Sequence, residues 1–246
     1  VALLLSEQRA VTSTLGVRDA CGARYADVAV AAVGPAVAAR ALHLLLRKHQ
    51  LLAHLGSMHR FLLLTQGDFV SVLVAAIAPE LAKPATSAAI ARHALEGYVE
   101  TAIRASNAAR ADADVLRRLS VRILPPSPGE VGWDVFTLQY ELTPPASSLL
   151  PPTALQPYHR LFHFLFRVKR LAHALNVTWS AHMGASHRLR SQRHAGLNGC
   201  LHMCHLLRSD MSTWVANLDN YLMLDVLAHE WSAFQDDAAR ATDVPA

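Results

Sequence analysis

The sequence has few cysteines and few charged side chains, and both shortages restrict what the chain can be. Its three cysteines, Cys21, Cys200 and Cys204, are an odd number without the spacing of a disulfide framework. We therefore expect a reducing compartment, the cytoplasm or the nucleus. Charged residues make up 17% of the 246 residues and hydrophobic residues 52%. This composition favours helices with extensive buried or partner-facing surface, in one large domain or two small ones.

A membrane-spanning run and a secretion signal are also missing. The longest uncharged apolar runs, residues 28–39 and 69–79, are shorter than the roughly 18 residues that a membrane helix needs. The first residues, VALLLSEQRA, have neither an initiator Met nor a basic segment ahead of the apolar run, so they do not match a secretory signal. We expect no membrane association, and we expect the chain to be a fragment of a longer protein.

The motifs of common catalytic and nucleotide-binding sites do not occur. There is no G-x-x-x-x-G-K loop, no G-x-S-x-G turn and no G-x-G-x-x-G turn. The segment HEWSA begins like a zinc-protease helix, but Ala233 occupies the position of the second histidine. Asp68 lies about two helical turns from His59 and Arg60, too far for an acid–base pair. We predict no catalytic residue, no cofactor and no enzymatic activity.

Fourteen histidines raise the question of a metal site, most clearly in CLHMCH at residues 200–205. A tetrahedral zinc site usually takes two ligand pairs from separated segments, and no second pair has matching spacing. A c-type haem attachment needs two residues between its cysteines, whereas this segment has three. We predict no metal site, and a histidine-rich metal enzyme is the least favoured alternative.

The formal charge of +4 is spread along the chain, and RLRSQR at residues 188–193 is the densest basic group. A helical nucleic-acid-binding module is therefore an alternative function, although this charge does not demand nucleic acid.

Apolar spacing predicts four helices in the first half of the chain, at about residues 36–54, 57–78, 90–103 and 112–118. The second helix should end before Pro79, which cannot continue the hydrogen-bond ladder. Its buried stripe should consist of Met58, Phe61, Leu62, Phe69 and Leu73.

The segment LLLTQGDFV, residues 62–70, places Gln66, Gly67 and Asp68 in the middle of this second predicted helix. Gly costs about 1 kcal/mol relative to Ala in a helix interior. We explain the conflict by contacts: Gly67 lets another group approach closely, and Asp68 caps, pairs or reaches a partner.

The middle of the chain predicts a β-hairpin. Residues 120–124 and 133–142 are rich in β-branched and aromatic residues, and PPSPGEVG supplies the turn. By the period of two, one face carries Phe136, Leu138, Tyr140 and Leu142, and the polar face carries Asp134, Thr137, Gln139 and Glu141. Because an isolated hairpin is marginal in water, this one should pack on the helices with Trp133, Phe136 and Tyr140 in the core.

Two long helices should follow, joined by a basic turn or mobile loop, RLRSQRHAGLNG. Their apolar stripes are Tyr158, Leu161, Phe162, Leu165, Phe166 and Leu171, then Leu201, Cys204, Leu207, Met211, Trp214, Leu218 and Tyr221. We interpret both stripes as core packing. The predicted fold is mainly α: an elongated helical bundle with one small β-hairpin. Residues 1–246 would form a single helical domain with helical groups at 36–118 and 153–240 and the hairpin at 119–143.

A series of longer motifs occurs in one order along the chain: LLLTQGDF, PELAKPA, ETAIRASNA, VLRRLSVRILPPSPGEVGWDVFTLQYEL and LFHFLFRVKRL. This series resembles the carboxy-terminal half of gamma-tubulin complex proteins, in detail the component 3 type. The family typically has LLLGQGDF where this chain has Thr65 in the fourth position. This series is far more specific than any single short motif.

The resemblance implies a mostly helical domain that binds gamma-tubulin and is part of a scaffold for microtubule nucleation. It further implies a centrosome or spindle pole setting, the component 2 type as lateral partner and the microtubule minus end as the assembly site. Gamma-tubulin itself, not this chain, would bind the guanine nucleotide. Since the family has a lateral amino-terminal domain and further carboxy-terminal helices, we expect this chain to show only part of the binding surface.

Candidate contacts with gamma-tubulin are polar residues inside these motifs that have no evident structural duty. They are Arg60, Gln66, Asp68, Lys83, Arg104 and Arg167. A solvated surface position or an intramolecular salt bridge is the alternative for each of them, because exposed ion pairs contribute only about 0–1 kcal/mol.

Overall fold

The computed structural model describes residues 22–85, 91–111, 113–144, 146–190 and 195–241. In this part of the chain the fold is mainly helical with one small antiparallel sheet, which confirms the predicted fold class. The α-helices are α1 (Gly22–His43), α2 (Leu51–Leu62), α3 (Gly67–Leu81), α4 (Arg92–Arg104), α5 (Ala113–Arg117), α6 (Gly132–Val135), α7 (Ala146–Leu149), α8 (Pro152–Arg190), α9 (Ala195–Asn220) and α10 (His229–Arg240). The strands are β1 (Leu119–Ile123) and β2 (Phe136–Tyr140).

Three tighter or wider helical segments supplement these elements. A π-helix, Leu44–Lys48, continues α1, and a second π-helix, Tyr221–Ala228, joins α9 to α10. A 3₁₀-helix, Asn107–Arg110, follows α4. The chain divides into two compact units, one formed by Ala53–Ser232 and one by the described residues outside that range. The grouping into a single domain over residues 1–246 stays a prediction.

The main hydrophobic core belongs to the unit Ala53–Ser232. It joins α2, α3 and α4 to the sheet and to the first half of α8. All five residues of the predicted stripe of the second helix are buried, as are Leu95, Val99 and Ile103 of α4. Each buried Leu or Phe side chain contributes about 1.5–3 kcal/mol. The stripe predicted for the second helix is therefore confirmed. Residues 90 and 112, where the third and fourth predicted helices begin, lie outside the described residues.

Aromatic rings connect the sheet to α8. Phe136 of β2 lies 5.4 Å from Phe166, and Trp133 lies 5.3 Å from the same ring, measured between centroids. Phe162 stacks on Phe166 at 5.3 Å. The prediction that the hairpin packs on the helices with Trp133, Phe136 and Tyr140 in the core is confirmed.

Two predicted helices have different bounds in the structure. The helix expected at 57–78 is two helices, because residues 63–66 are not helical and α3 begins only at Gly67. The helix expected at 36–54 is interrupted at His49 and Gln50, where Gln50 has φ 46°. Pro79 lies inside α3, which continues to Leu81, since a proline near a helix end removes only one ladder bond.

The second strand of the hairpin is shorter than the predicted range, residues 133–142. The strands pair from Leu119 with Tyr140 to Ile123 with Phe136, and the preceding residues 132–135 form α6 instead of strand. Thr137 is fully buried, so the face that it shares with Gln139 is not open to solvent at this position. Both faces are covered because α4 packs against β1 and α8 packs against β2.

The second half of the larger unit consists of α8 packed against α9. A small apolar cluster holds the pair together, with Val168 and Leu175 from α8 and Val215 from α9. Lys169 and Asp219 add an ion pair at 2.7 Å between the two helices. A turn or loop was expected over residues 188–199, but α8 continues to Arg190 and α9 begins at Ala195, so most of that segment is helical. Residues 191–194 lie outside the described residues.

The stripe predicted as the core of α9 is mostly exposed. Leu207 and Trp214 are 63% and 64% exposed, and Met211 and Tyr221 also face solvent. On α8, Leu161 and Leu171 are exposed, whereas Phe162, Leu165 and Phe166 are buried as predicted. No single described helix is long and apolar enough to cross a membrane, and α2 with α3 reaches that length only as a pair bent by 45°.

Candidate partner-binding surface

The break between α2 and α3, residues 63–68, is the junction that contains the QGD segment. Leu64 has φ 55° and is fully buried. A left-handed backbone costs roughly 1–2 kcal/mol for a residue with a Cβ, and burial of the leucine side chain offsets it with about 1.5–3 kcal/mol. The amide of Gln66 donates to the carbonyl of Arg60 at 3.3 Å. Residues 63–68, named the α2–α3 junction below, are thus a fixed turn.

Thr65 stands in this turn and not inside a helix, so helix propensity does not describe its effect. Its hydroxyl donates to the carbonyl of His59 at 3.0 Å. The His59 ring stacks on Trp231 with centroids 4.5 Å apart. Burial lowers the pKa of His59, and a hydrogen bond with the backbone of Leu227 raises it in part. Thr65 therefore fixes the turn to the end of α2.

Asp68 lies in the first turn of α3 and is bonded inside the chain. Its Oδ1 accepts the amide of Phe69 at 2.8 Å, and its Oδ2 accepts the amide of Asn107 at 2.7 Å. These bonds, with that from Asn107 the largest cause, lower the pKa of the Asp68 carboxyl. A carboxylate at a helix N-terminus is also favoured by the helix dipole. Asp68 consequently holds the start of α3 to the 3₁₀-helix, and its contact with gamma-tubulin stays a prediction.

Gly67 does not serve a close approach within the described chain. A Cβ at this position would meet no atom within 4 Å, and Gly67 is not among the glycines with positive φ. The predicted packing reason is therefore wrong for the described contacts. Gly67 lies at the edge of a cavity of about 300 Å³ that is also lined by Ser71, Lys169, His173 and Asn176.

Three of the four remaining candidate residues have partners within the chain. Arg60 donates to the Gly56 carbonyl and to Ser57 Oγ, both at 3.3 Å. Lys83 pairs with Glu80 at 2.6 Å, and Arg104 pairs with Glu100. Arg167 is exposed on α8, and its side chain makes no ion pair with any described residue.

The six candidate residues do not form one site. Arg60, Gln66 and Asp68 meet at the α2–α3 junction, through the bond from Gln66 to the Arg60 carbonyl and the neighbouring start of α3. Lys83 follows the other end of α3, about 20 Å away at 1.5 Å per residue. The structure therefore separates Lys83 from the QGD segment, and the roles of all six residues stay predictions.

Sequence reasoning missed a second surface, on α9. Its members are large apolar residues at helical spacing that face solvent: Met203, Leu207, Met211 and Trp214, named the α9 apolar face below. Methionine and tryptophan side chains are common in protein-binding surfaces. The sequence predicted Leu207, Met211 and Trp214 as part of one core stripe, because periodicity identifies an apolar stripe but does not say whether it faces α8.

The cysteine- and histidine-rich segment of α9 contains no metal site among the described residues. Cys200 and Cys204 are exposed thiols. Within the ranges that the structure describes, no group of three or more His, Cys, Asp or Glu side chains could hold a metal ion.

Comparison with known proteins decides the family. Residues 51–246 match the model of the gamma tubulin complex component C-terminal domain. The chain belongs to this family. The match begins at the first residue of α2, so it includes the α2–α3 junction, the sheet and the α9 apolar face.

Similar members of the gamma-tubulin complex component family come from animals and an amoeba. The chain is 37% identical to the gamma-tubulin complex component 3 homolog of Xenopus laevis and 38% identical to gamma-tubulin complex component 3 of Homo sapiens, in each case over 82% of this chain. It is 34% identical to spindle pole body component 98 of Dictyostelium discoideum over 78% of this chain. The matches cover 22%, 22% and 23% of those relatives, so the chain spans less than a quarter of their length.

Proposed function

We propose that this chain is the gamma-tubulin-binding part of a scaffold subunit of the gamma-tubulin complex and supports microtubule nucleation at microtubule-organising centres. The observation that carries the proposal is the family match over residues 51–246. It is supported by 38% identity to a component 3 protein. A rigid helical unit with exposed apolar side chains is the kind of element that holds a partner in a fixed orientation.

The partners follow from the same similarity. They are gamma-tubulin, other gamma-tubulin complex components with the component 2 type as lateral neighbour, and through them the microtubule minus end. Relatives named component 2 match at lower identity, 26% in Mus musculus. The location is the cytoplasmic cytoskeleton, at a centrosome or spindle pole, as the names of spindle pole body relatives support.

The chain acts by binding and not by catalysis. Its relatives are named as components of a complex or of the spindle pole body. The polar residues of the α2–α3 junction bond to backbone groups of the chain itself, which gives Asp68 a structural partner and not a reacting one.

Two surfaces are the preferred contacts for gamma-tubulin. The α9 apolar face offers Trp214 and Leu207, and a large aromatic side chain is the type that dominates many protein interfaces. The α2–α3 junction offers Gln66 and the open space at Gly67. We therefore expect both surfaces to be covered when gamma-tubulin binds.

A pull-down tests the proposal. The chain, immobilised through a tag, should retain purified gamma-tubulin at moderate salt, with full-length human component 3 as the positive control. Retention by the control and none by the chain would contradict the proposal for these 246 residues.

A further inference from the structure

Charge is distributed very unevenly along the chain. No Asp or Glu occurs between Glu141 and Asp210, whereas Arg and Lys recur throughout this stretch. The stretch therefore carries more positive charge than the whole chain, whose net charge is +4, and acids outnumber bases outside it. The stretch contains all of α8, a helix of 39 residues.

The first half of α8 gathers this charge on one side. His159, His163 and Arg167 follow one another at intervals of four residues, so they lie on one face of the helix, and Arg160 lies beside them. Arg122 of β1 adds a fifth group. The three arginines are exposed and the two histidines are half-buried. These five residues are named the α8 basic patch below.

The patch has almost no internal neutralisation. Arg122, Arg160 and Arg167 form no ion pair with another residue of the described chain. The neighbouring basic groups differ, because Lys169 pairs with Asp219 and the Arg170 guanidinium lies 5.2 Å from the centre of the Trp133 ring. In this part of α8 the arginines of the patch therefore differ from Lys169 and Arg170, which have partners within the described chain.

The positive charges of the patch affect the pKa values of its two histidines. Burial lowers the pKa of His159, and the positive charge of Arg122 lowers it further. Burial also lowers the pKa of His163, and the positive charges of Arg167 and His159 lower it further. Asp134 of α6 raises this pKa. A bound anionic ligand would raise the pKa values of both histidines, against the effect of the arginines, and would favour the charged imidazoles.

Exposed apolar side chains lie beside the charges on the same helix. Leu161 is 44% exposed and Phe164 is 48% exposed, both on the turns of α8 that carry the patch. From His159 to Leu171 the helix is about 18 Å long, which corresponds to about five or six residues of an extended chain. A short polypeptide with alternating carboxylate and apolar side chains matches this length and this mixture of groups.

We propose that the α8 basic patch binds an acidic polypeptide segment whose carboxylates pair with Arg122, Arg160 and Arg167 and whose apolar residues contact Leu161 and Phe164. This site is separate from the α2–α3 junction and the α9 apolar face, although it contains Arg167, which is also one of the six candidate contacts with gamma-tubulin. A long uniform polyanion such as RNA fits less well, because the chain outside residues 142–209 is net acidic and would repel it.

Fluorescence anisotropy with a labelled peptide that alternates Glu and Leu tests the proposal on the 246-residue chain. The same peptide with Gln in place of Glu and a single-stranded RNA of equal charge are compared at about 0.1 M salt, where the Debye length is about 10 Å and charges that do not contact the peptide are largely screened. The Glu peptide should bind most tightly. The double variant Arg160→Gln, Arg167→Gln should weaken it about tenfold, since exposed charge pairs contribute up to about fivefold each.

The matched control is Arg110→Gln, Arg117→Gln, which removes the same charge from exposed arginines outside the patch. It should weaken binding by less than about twofold, because these groups lie beyond the short range of screened charges. Absence of peptide binding, equal losses in the two double variants, or tighter binding of the RNA would each overturn the proposal. Calorimetry in buffers of different ionisation enthalpy should show proton uptake on binding, and its absence would remove His159 and His163 from the site.

Discussion

At the residue scale, the hydrogen bonds of the QGD segment give it a structural role within the chain. Asp68 supplies two acceptor oxygens to backbone amides, one of them 39 positions away at Asn107. The Asp68 carboxylate fixes the start of α3. The same residue belongs to the α2–α3 junction, which is one of the two proposed contacts with gamma-tubulin. Structural and binding effects of Asp68 must therefore be separated by measurement.

Asp68→Asn should destabilise the chain in a pH-dependent way. The folded pKa of Asp68 is lowered below the ordinary 3.8, so its contribution is fully present above that value and is lost as the pH falls through the folded pKa. Urea unfolding should show a larger difference between wild type and variant at pH 7 than below pH 3. A difference that stays constant with pH would assign the effect to shape and not to charge.

Gly67→Ala should stabilise the free chain by about 0.5–1 kcal/mol, because Ala has a less flexible unfolded state and a better helix propensity. Nothing within 4 Å opposes the added methyl group. Gly97→Ala is the matched control, since Gly97 lies inside α4 with equally open surroundings. Thermal unfolding of both variants checks this; destabilisation by Gly67→Ala alone would show that the junction needs glycine.

At the element scale, α9 has apolar residues that are buried against α8 and apolar residues that are exposed. Val215 is 2% exposed and packs toward α8, whereas its neighbour Trp214 is 64% exposed. Helical periodicity placed Trp214 on the predicted core stripe and did not single out Val215, which the contact with α8 buries. Length, composition and spacing thus predicted the helix, while the direction of its faces required the tertiary structure.

The pair Trp214→Ala and Val215→Ala separates binding from stability. Val215→Ala should lower the free energy of unfolding by about 2 kcal/mol, from lost burial and the cavity left behind. Trp214→Ala should change it by less than about 0.5 kcal/mol, as expected for an exposed position. In the gamma-tubulin pull-down, however, Trp214→Ala should reduce retention. A loss of stability in Trp214→Ala as large as that in Val215→Ala would show that the ring is needed inside the fold.

The α2–α3 break illustrates a different limit of sequence reasoning. Met58, Phe61, Leu62, Phe69 and Leu73 are buried as one stripe, so the core was predictable even though the helix was not continuous. The break depends on Leu64, whose left-handed backbone is stable because its side chain is fully buried. Such a conformation is decided by tertiary packing and not by local propensity.

At the scale of the whole molecule, the helical class, the hairpin and the family followed from the order of motifs along the chain. The partner-facing surfaces did not, because exposure depends on which helices meet. The Asp68 carboxylate accepts the amide of Asn107, and Arg104 pairs with Glu100, so polar residues in these motifs also have partners within the chain. The two exposed surfaces, the α9 apolar face and the α8 basic patch, were each visible only after α8 and α9 had been placed.

The central claim is that gamma-tubulin binds this chain through the α2–α3 junction and the α9 apolar face. Hydrogen–deuterium exchange of the chain, alone and with gamma-tubulin, tests it most directly. We predict slower exchange in residues 63–68 and 203–214 in the complex, with unchanged exchange in the strand Phe136–Tyr140. A stable complex that protects neither segment would contradict the account.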